Sequence, residues 1–368
     1  MTPSAAAPTP PPSDATAPSP ELRRLLQPYV DGLIARLGAA EEQREPWPLE
    51  AELPDGPGKV LPWLLAAPPS VLLGPPGAGK SANLRHLALA LARDWREGRG
   101  KLPLLLDLAE GHPWEGVEDL ALRSLGLPPA EGPRLADLGP TVLLLDNLHQ
   151  SPNLYLFEGL ELLLRAGGQA GPGLVVACRS ADWPHYRAWF QGIEELPLRP
   201  LDRAGLESLL RATVTPEHLA VLRDWLTRDP DLAQAIRLPL GLQALRRALA
   251  DSPPAEWRRS RFLDALLDLR LEPLPRAERA AFRSALVEVA LQGLGQGALI
   301  QVDTVVMSLA VTRERMVRSG AVVPHGTALA FAEPLLATHL AASALAPRAE
   351  QGPGALLEQL APLDPARR

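Results

Sequence analysis

Residues Gly74-Pro75-Pro76-Gly77-Ala78-Gly79-Lys80-Ser81 form a complete G-x-x-x-x-G-K-S run. Its chemistry is anion capture. Glycines let backbone N–H groups turn inward around a phosphate, and a following helix adds the partial positive charge of its N-terminus. In that arrangement Lys80 reaches the β- and γ-phosphates of a nucleotide, and the Ser81 hydroxyl holds Mg2+. Ala82 completes the binding positions. The alternative is a glycine-rich turn with a chance Lys-Ser, and the flanks speak against it. Apolar residues 71–73 precede the run, and the stretch 82–95 follows with Leu84, Leu87, Ala88 and Leu91 at helical spacing. Composition singles out Lys80 as well: of 37 basic residues only Lys59, Lys80 and Lys101 are lysines. A guanidinium is too broad and planar for a pocket that accepts a compact ammonium.

Such a loop needs a carboxylate at the end of a later buried strand. Thr141-Val142-Leu143-Leu144-Leu145-Asp146 supplies one, 66 residues beyond Lys80, and Asp146 is the candidate on the Mg2+ side. Asp107, after the apolar run 104–106, competes for the role. Asp146 could instead simply cap the turn after its strand. Arg179 follows a further apolar run, 174–177. It either faces the γ-phosphate and senses hydrolysis, or it is an ordinary loop arginine, one of 34. Seven histidines and the single Cys178 show no metal-ligand spacing, and no G-x-S-x-G run marks acyl transfer.

The elements that must position these residues are legible in the hydrophobic pattern. Short apolar runs at 71–73, 104–106, 142–145 and 174–177, with a fifth at 193–198, alternate with helical stretches. Continuous rather than alternating apolar strands mean a parallel sheet covered on both faces, the α/β architecture of a P-loop NTPase. A helix precedes it from Glu21, with Leu22, Leu25, Leu26, Val30, Leu33 and Leu37 on one stripe. A Pro/Gly-rich link at 54–58 separates the two. After residue 198 helices take over, at 201–211, 216–227, 231–236 and 240–249. A second link, Ser252-Pro253-Pro254, leads to three or four more helices, ending near residue 345. Val322, Val323 and residues 328–331, around Pro324-His325-Gly326, read as a hairpin and make this last part winged-helix-like. The alternative is an all-helical bundle with a kinked loop.

Global numbers narrow the class. At 368 residues the chain exceeds what one hydrophobic core usually serves, and 46% apolar with 22% charged residues excludes wholesale disorder. A net charge of −6 argues against nucleic acid as partner. No apolar run approaches the ~18 residues of a membrane span. Residues 1–20 carry seven prolines and neither a charged nor an apolar signal region, so a disordered leader is expected. A lone cysteine fits a reducing cytoplasm.

Several blocks in order resemble the NACHT subgroup of the STAND signalling NTPases, relatives of the AAA+ ATPases. Residues 71–81 look like the family's first strand and phosphate loop. Leu102-Pro103-Leu104-Leu105-Leu106-Asp107-Leu108 resembles its second strand, residues 143–146 its Walker B strand, and residues 175–179 the strand ending in T-S-R. Leu238-Pro239-Leu240 is similar to the helical-domain motif whose proline, here Pro239, lies against adenine. The block from Ala330 to Ala342 resembles the winged-helix segment F-x-H-x-x-x-Q-E-Y-x-A-A. The likeness spans roughly residues 29–345. It implies a leader at 1–20, an NTPase domain at 21–199, a helical domain at 200–251, a winged-helix-like domain at 252–346 and a tail at 347–368.

Two departures qualify what the resemblance implies. Asp146 is followed by Asn147, Leu148, His149 and Gln150, so the acids that polarise an attacking water are missing, and His149 is the substitute base. Glu333 stands where relatives place a histidine against the ADP β-phosphate, and an anion there repels phosphate. The expectation is a cytoplasmic ATP/ADP switch with Mg2+ and weak, slow ATPase activity, which self-associates or acts through a separate effector or sensor protein. An AAA+ loader or remodeller acting on DNA or protein is the second class, and a non-hydrolysing scaffold the third.

Overall fold

The computed structural model describes residues 19–42, 50–54, 56–66, 69–112, 115–128, 134–148, 157, 159–160, 173–250, 258–296, 300–301, 313–325 and 328–351. They fall in two compact units. The first joins Met1–Gly74 to Lys80–Leu198, and the second joins Pro75–Gly79 to Arg199–Arg368. The leader before Ser19, the Ser252-Pro253-Pro254 link, His149 and Gln150 lie outside the described residues.

In the first unit, α1 (Pro20–Glu42) precedes a hairpin of β1 (Glu50–Leu53) and β2 (Gly56–Lys59), then α2 (Val60–Ala66). There follow β3 (Ser70–Gly74), α3 (Lys80–Arg96), β4 (Leu102–Asp107), α4 (Val117–Ser124), β5 (Thr141–Asp146), β6 (Gly173–Arg179), α5 (Trp183–Tyr186) and β7 (Glu194–Pro197). Five strands make one sheet in the order β4-β5-β6-β3-β7, every pair parallel. This is the P-loop NTPase α/β fold that the apolar runs anticipated. β3 and β5 are buried along their whole length, as interior parallel strands must be when helices cover both faces. Each buried Leu or Val contributes about 1.5–3 kcal/mol, which makes these strands the main hydrophobic support of the unit.

Helix α1 lies on α3: Arg23 donates to the Trp95 carbonyl at 2.6 Å and stacks over the Trp95 ring at 5.1 Å. Its buried stripe is Leu26, Val30, Leu33 and Leu37, while Leu25 is 48% exposed and off the stripe expected for it. On α3, Leu84, Leu87 and Ala88 are buried as the spacing requires, and Trp95 takes the place foreseen for the half-buried Leu91. Residues 54–58 had looked like a linker. Instead Gly56, Pro57, Gly58 and Lys59 pair antiparallel with β1, and Ala51 bridges to Leu198. A two-stranded ribbon tolerates Pro57 because an edge position needs no donor on its outer side.

The second unit is largely helical: α6 (Arg203–Thr213), α7 (Pro216–Arg228), α8 (Pro230–Ile236), α9 (Pro239–Ala250), α10 (Arg259–Leu271) and α11 (Arg279–Gln296). After them come β8 (Ile300–Gln301), α12 (Arg313–Arg318), β9 (Val322–His325), β10 (Ala328–Phe331) and α13 (Pro334–Glu350). The prolines that split the pattern sit at helix starts, where a missing N–H costs nothing. Thr215 caps α7 by accepting from His218 N, and Asp229 caps α8 by accepting from Leu232 N. The hairpin read from Val322 onward forms, with β8 as third strand in the order β8-β10-β9. Helix α13 runs through Pro347 to Glu350, beyond the point where a tail was expected. No helix among the described residues is long and apolar enough to cross a membrane.

Gly241 on α9 shows how closely this unit packs. A Cβ there would lie 1.9 Å from the Ala235 carbonyl oxygen and 2.6 Å from its carbon. These are backbone atoms and cannot rotate away. Gly241→Ala should therefore destabilise the second unit by about 3 kcal/mol or more. A denaturant titration followed by circular dichroism measures it, and an unchanged midpoint would contradict the packing.

Candidate functional site

Because all five strands of the first unit run parallel, their C-terminal ends share one edge, the side on which open α/β sheets hold ligands. The register aligns the residues that matter. Gly74 is paired with Arg179, and Asp107 with Asp146. Residues from four separate runs of sequence thus meet at one rim.

Lys80 and Ser81 open α3. The Lys80 ammonium donates to the Gly74 carbonyl at 2.8 Å, so the side chain folds back along the mouth of its own loop. The Ser81 hydroxyl donates to Asp146 Oδ1 at 3.0 Å, and the Asn147 N–H donates to the same oxygen at 2.9 Å. Asp146 is buried, and burial pushes its carboxyl pKa up. The Ser81 bond opposes that shift, the Asp107 charge adds to it, and Arg85 and the Asn147 N–H oppose it.

The two competing aspartates take different roles. Asp107 Oδ1 accepts from Ala109 N at 3.0 Å, capping a single turn at Leu108–Glu110, and from Asn147 Nδ2 at 2.9 Å. Asp146 takes the Ser81 contact. Asn147 is the residue that sequence reasoning missed, having registered only as a missing acid. It is the one non-glycine with positive φ among the described residues, at 58°. In that left-handed conformation it gives its backbone N–H to one strand-end carboxylate and its amide to the other. Asparagine directly after a strand-end aspartate is the signal, since this side chain tolerates the left-handed region best among non-glycines.

Arg179 ends β6 and is buried, as few loop arginines are. Its neighbour Cys178 is buried too, and burial pushes the thiol up to about 12, far from a nucleophile. Ala82 is exposed on the first turn of α3.

The five residues Pro75–Gly79 group with the second unit. Gly77 and Gly79 have φ of 83° and 90°, values that a Cβ would strain and that a loop with inward N–H groups requires. Leu240 N donates to the Gly77 carbonyl at 3.3 Å, so the Leu238-Pro239-Leu240 segment meets the loop within this unit. Here too Glu333 is not a bare anion: it forms an ion pair with Arg270.

The residues present fit Mg2+. The donors are hard oxygens, the Ser81 hydroxyl and the Asp146 carboxylate, with a second carboxylate close enough to raise the pKa of the first. No cluster of three or more His, Cys, Asp or Glu that could hold a metal occurs among the described residues.

No protein-family profile matches the chain, and no curated protein matches it in sequence. Solved structures do. A Walker-type ATPase of Pyrococcus abyssi is 16% identical, covers 74% of this chain and 90% of its own, and superposes with a TM-score of 0.41. A single-site mutant of RuvB from Thermotoga maritima is 15% identical over 86% of this chain and 93% of its own, TM-score 0.35. The Orc1 protein of Aeropyrum pernix, solved in complex with DNA, is 17% identical over 92% and 97%, TM-score 0.33.

A carboxyl whose folded pKa is raised contributes stability that is complete below its unfolded pKa and lost as pH rises through the folded pKa. At neutral pH the ionised Asp146 is therefore a liability to the unliganded fold. Asp146→Asn keeps an acceptor for Ser81 and Asn147 without the charge. It should raise the melting temperature at pH 7 by roughly 2–4 °C, a gain that shrinks as pH falls through the raised pKa. Calorimetry without Mg2+ or nucleotide checks this; equal melting at pH 7 would refute it. Asn147→Ala should cost about 1–2 kcal/mol, and Asn147→Gly about 1 kcal/mol less than alanine, because only alanine resists the left-handed backbone. Equal losses in urea titrations would show that the conformation is not what selects asparagine.

Proposed function

We propose that this chain is an ATP/ADP-binding switch of the NACHT/STAND type, in which slow Mg2+-dependent hydrolysis controls conformation and self-association. The observation that carries it is the Ser81–Asp146 hydrogen bond, made at the rim where Lys80 folds along its loop. A hydroxyl and a buried carboxylate joined there, next to a glycine loop of the required backbone, are what a nucleoside triphosphate with its cation needs.

In this reading the backbone of Gly74–Ser81 and Ala82 cradles the phosphates, and Lys80 exchanges the Gly74 carbonyl for phosphate oxygens. Ser81 and Asp146 hold Mg2+, which when bound neutralises phosphate charge. Pro239 lies against the adenine, and Arg179 responds to the γ-phosphate. Slow turnover follows from Asn147. Its amide donates to Asp107 and so has no lone pair directed to a water's proton on that side. His149 is the base in this proposal.

The same asparagine favours one second reading, a scaffold that binds nucleotide without hydrolysing it. A nucleic-acid role draws less support. In α12 and α10, Arg315 is paired with Glu278 and stacked on Phe282, and Arg259 is paired with Asp229 at 2.8 Å, so neither is a bare cation turned to a phosphate backbone. The partners proposed are nucleotide and either a second copy or a separate effector protein, in the cytoplasm.

Mass spectrometry of the nucleotide retained on purification, with ATP turnover measured on the same protein, tests the proposal. ADP or ATP should co-purify. Turnover should be slow, on the order of 0.01 s−1 or less, as for P-loop enzymes acting without a full catalytic set. Lys80→Ala should lose both retention and turnover. Absence of any bound or bindable nucleotide would overturn the switch, and nucleotide binding with no Lys80-dependent turnover would establish the scaffold.

A further inference from the structure

Helix α10 is largely buried from Phe262 to Leu271, where its leucines and Phe262 enter the core. In its last turn the same helix buries an arginine. The Arg270 side chain is 9% exposed, and its single described polar contact runs from one terminal nitrogen to Glu333 Oε1, a carboxylate 12% exposed. The pairing is incomplete. Arg270 Nε and Glu333 Oε2 are both buried without a hydrogen-bond partner. A guanidinium carries five N–H donors in a rigid fork suited to two acceptors at once, so a buried one with an open donor is poised for another oxyanion.

The position of that fork indicates which oxyanion. One terminal nitrogen lies 3.3 Å from the point where a Cβ of Gly77 would stand, and the other lies 3.2 Å from the equivalent point at Gly320. Both glycines have positive φ, at 83° and 72°. The guanidinium is thus seated between two glycines, and one of them belongs to the phosphate loop. Glu333 immediately precedes α13, where the helix N-terminus also favours its negative charge. The carboxylate therefore occupies, beside a phosphate loop, a cation that phosphate would otherwise attract.

We propose that Arg270 recognises a nucleotide phosphate at the Gly77 loop and that Glu333 is its internal competitor, so that phosphate binding and the Arg270–Glu333 pair exclude each other. The device makes phosphate occupancy break a contact at the start of α13, within the same unit. It rests on the nucleotide-binding reading above and adds to it a gate on affinity. Glu333, which by itself would repel phosphate, acts instead by withholding a cation.

Isothermal titration of ATP and of ADP, each with Mg2+, into the full-length protein decides the matter. Wild type is compared with Glu333→Gln, Arg270→Gln, the double variant and Lys80→Ala, with folding verified by circular dichroism and melting. Glu333→Gln should bind both nucleotides about tenfold more tightly, because the competitor has lost its charge. Arg270→Gln should bind about tenfold more weakly. The double variant should be as weak as Arg270→Gln alone, since without Arg270 nothing remains to be released. Glu333→Gln no tighter than wild type, or a double variant that keeps the gain, overturns the proposal. If Arg270→Gln fails to fold, Glu333→Gln and the double variant, the latter with no buried charge left unpaired, still decide it. Wild-type binding lost in Lys80→Ala, together with wild-type affinity in both position-333 and position-270 variants, sinks the gate and leaves the nucleotide reading intact. No binding by wild type or by Glu333→Gln sinks both.

Discussion

A carboxylate is costly to bury, by several kcal/mol unless its lone pairs are satisfied. The first unit carries that cost at Asp146. Two donors converge on one of its oxygens, the Ser81 hydroxyl and the Asn147 N–H. Neither could do so unless β3 and β5 ended at the same edge of the sheet. Parallel strands with helical crossovers impose that coincidence, and α3 then starts where the loop after β3 ends. Ser81, the strand-end acids and Arg179 all inherit their positions from this single constraint. A shift of one residue in β5 would turn Asp146 to the other face of the sheet and leave Ser81 without its acceptor.

The second acid is tied into the same arrangement by a different route. Asp107 sits directly opposite Asp146 in the register, and two carboxylates so close repel each other. Asn147 lies between them as a neutral donor, at the expense of a left-handed backbone. A glutamate there would add a third negative charge to the rim. Asn147 is therefore the residue that lets the two acids coexist. The second unit handles buried charge differently. Arg270 and Glu333 neutralise one another but leave donor and acceptor atoms unused, where Asp146 has two donors on a single oxygen.

How much of the fold was legible follows from where burial speaks in the sequence. Strands covered on both faces must be apolar throughout, so β3, β4, β5 and β6 announced themselves. The helices of the second unit were separable because Pro216 and Pro230 stand at helix starts, each preceded by a capping residue. The β1–β2 ribbon was illegible: Gly56, Pro57 and Gly58 have no strand propensity, and pairing alone holds them extended. Leu25 was misplaced because a run of adjacent leucines leaves the face of the helix ambiguous by one position. Likewise the end of α13 was hidden by Pro347, whose missing donor the helix tolerates near its last turn.

For the site, the sequence by itself determined which chemical groups are available. It supplies a glycine loop with Lys80 and Ser81, and an aspartate and an arginine at the ends of buried runs. Those conclusions rest on local context, the strand before a loop and the helix after it, which a single chain segment displays. Only the tertiary structure decided between Asp107 and Asp146, since a strand register links residues far apart in sequence and determines which carboxylate Ser81 can reach. It likewise gave Asn147 a bridging role and gave Glu333 a cation, 63 residues away, that no spacing rule connects to it. The physical reason is common to all three. A hydrogen bond or ion pair is a relation between two positions in space, and a sequence lists the partners without the distance between them.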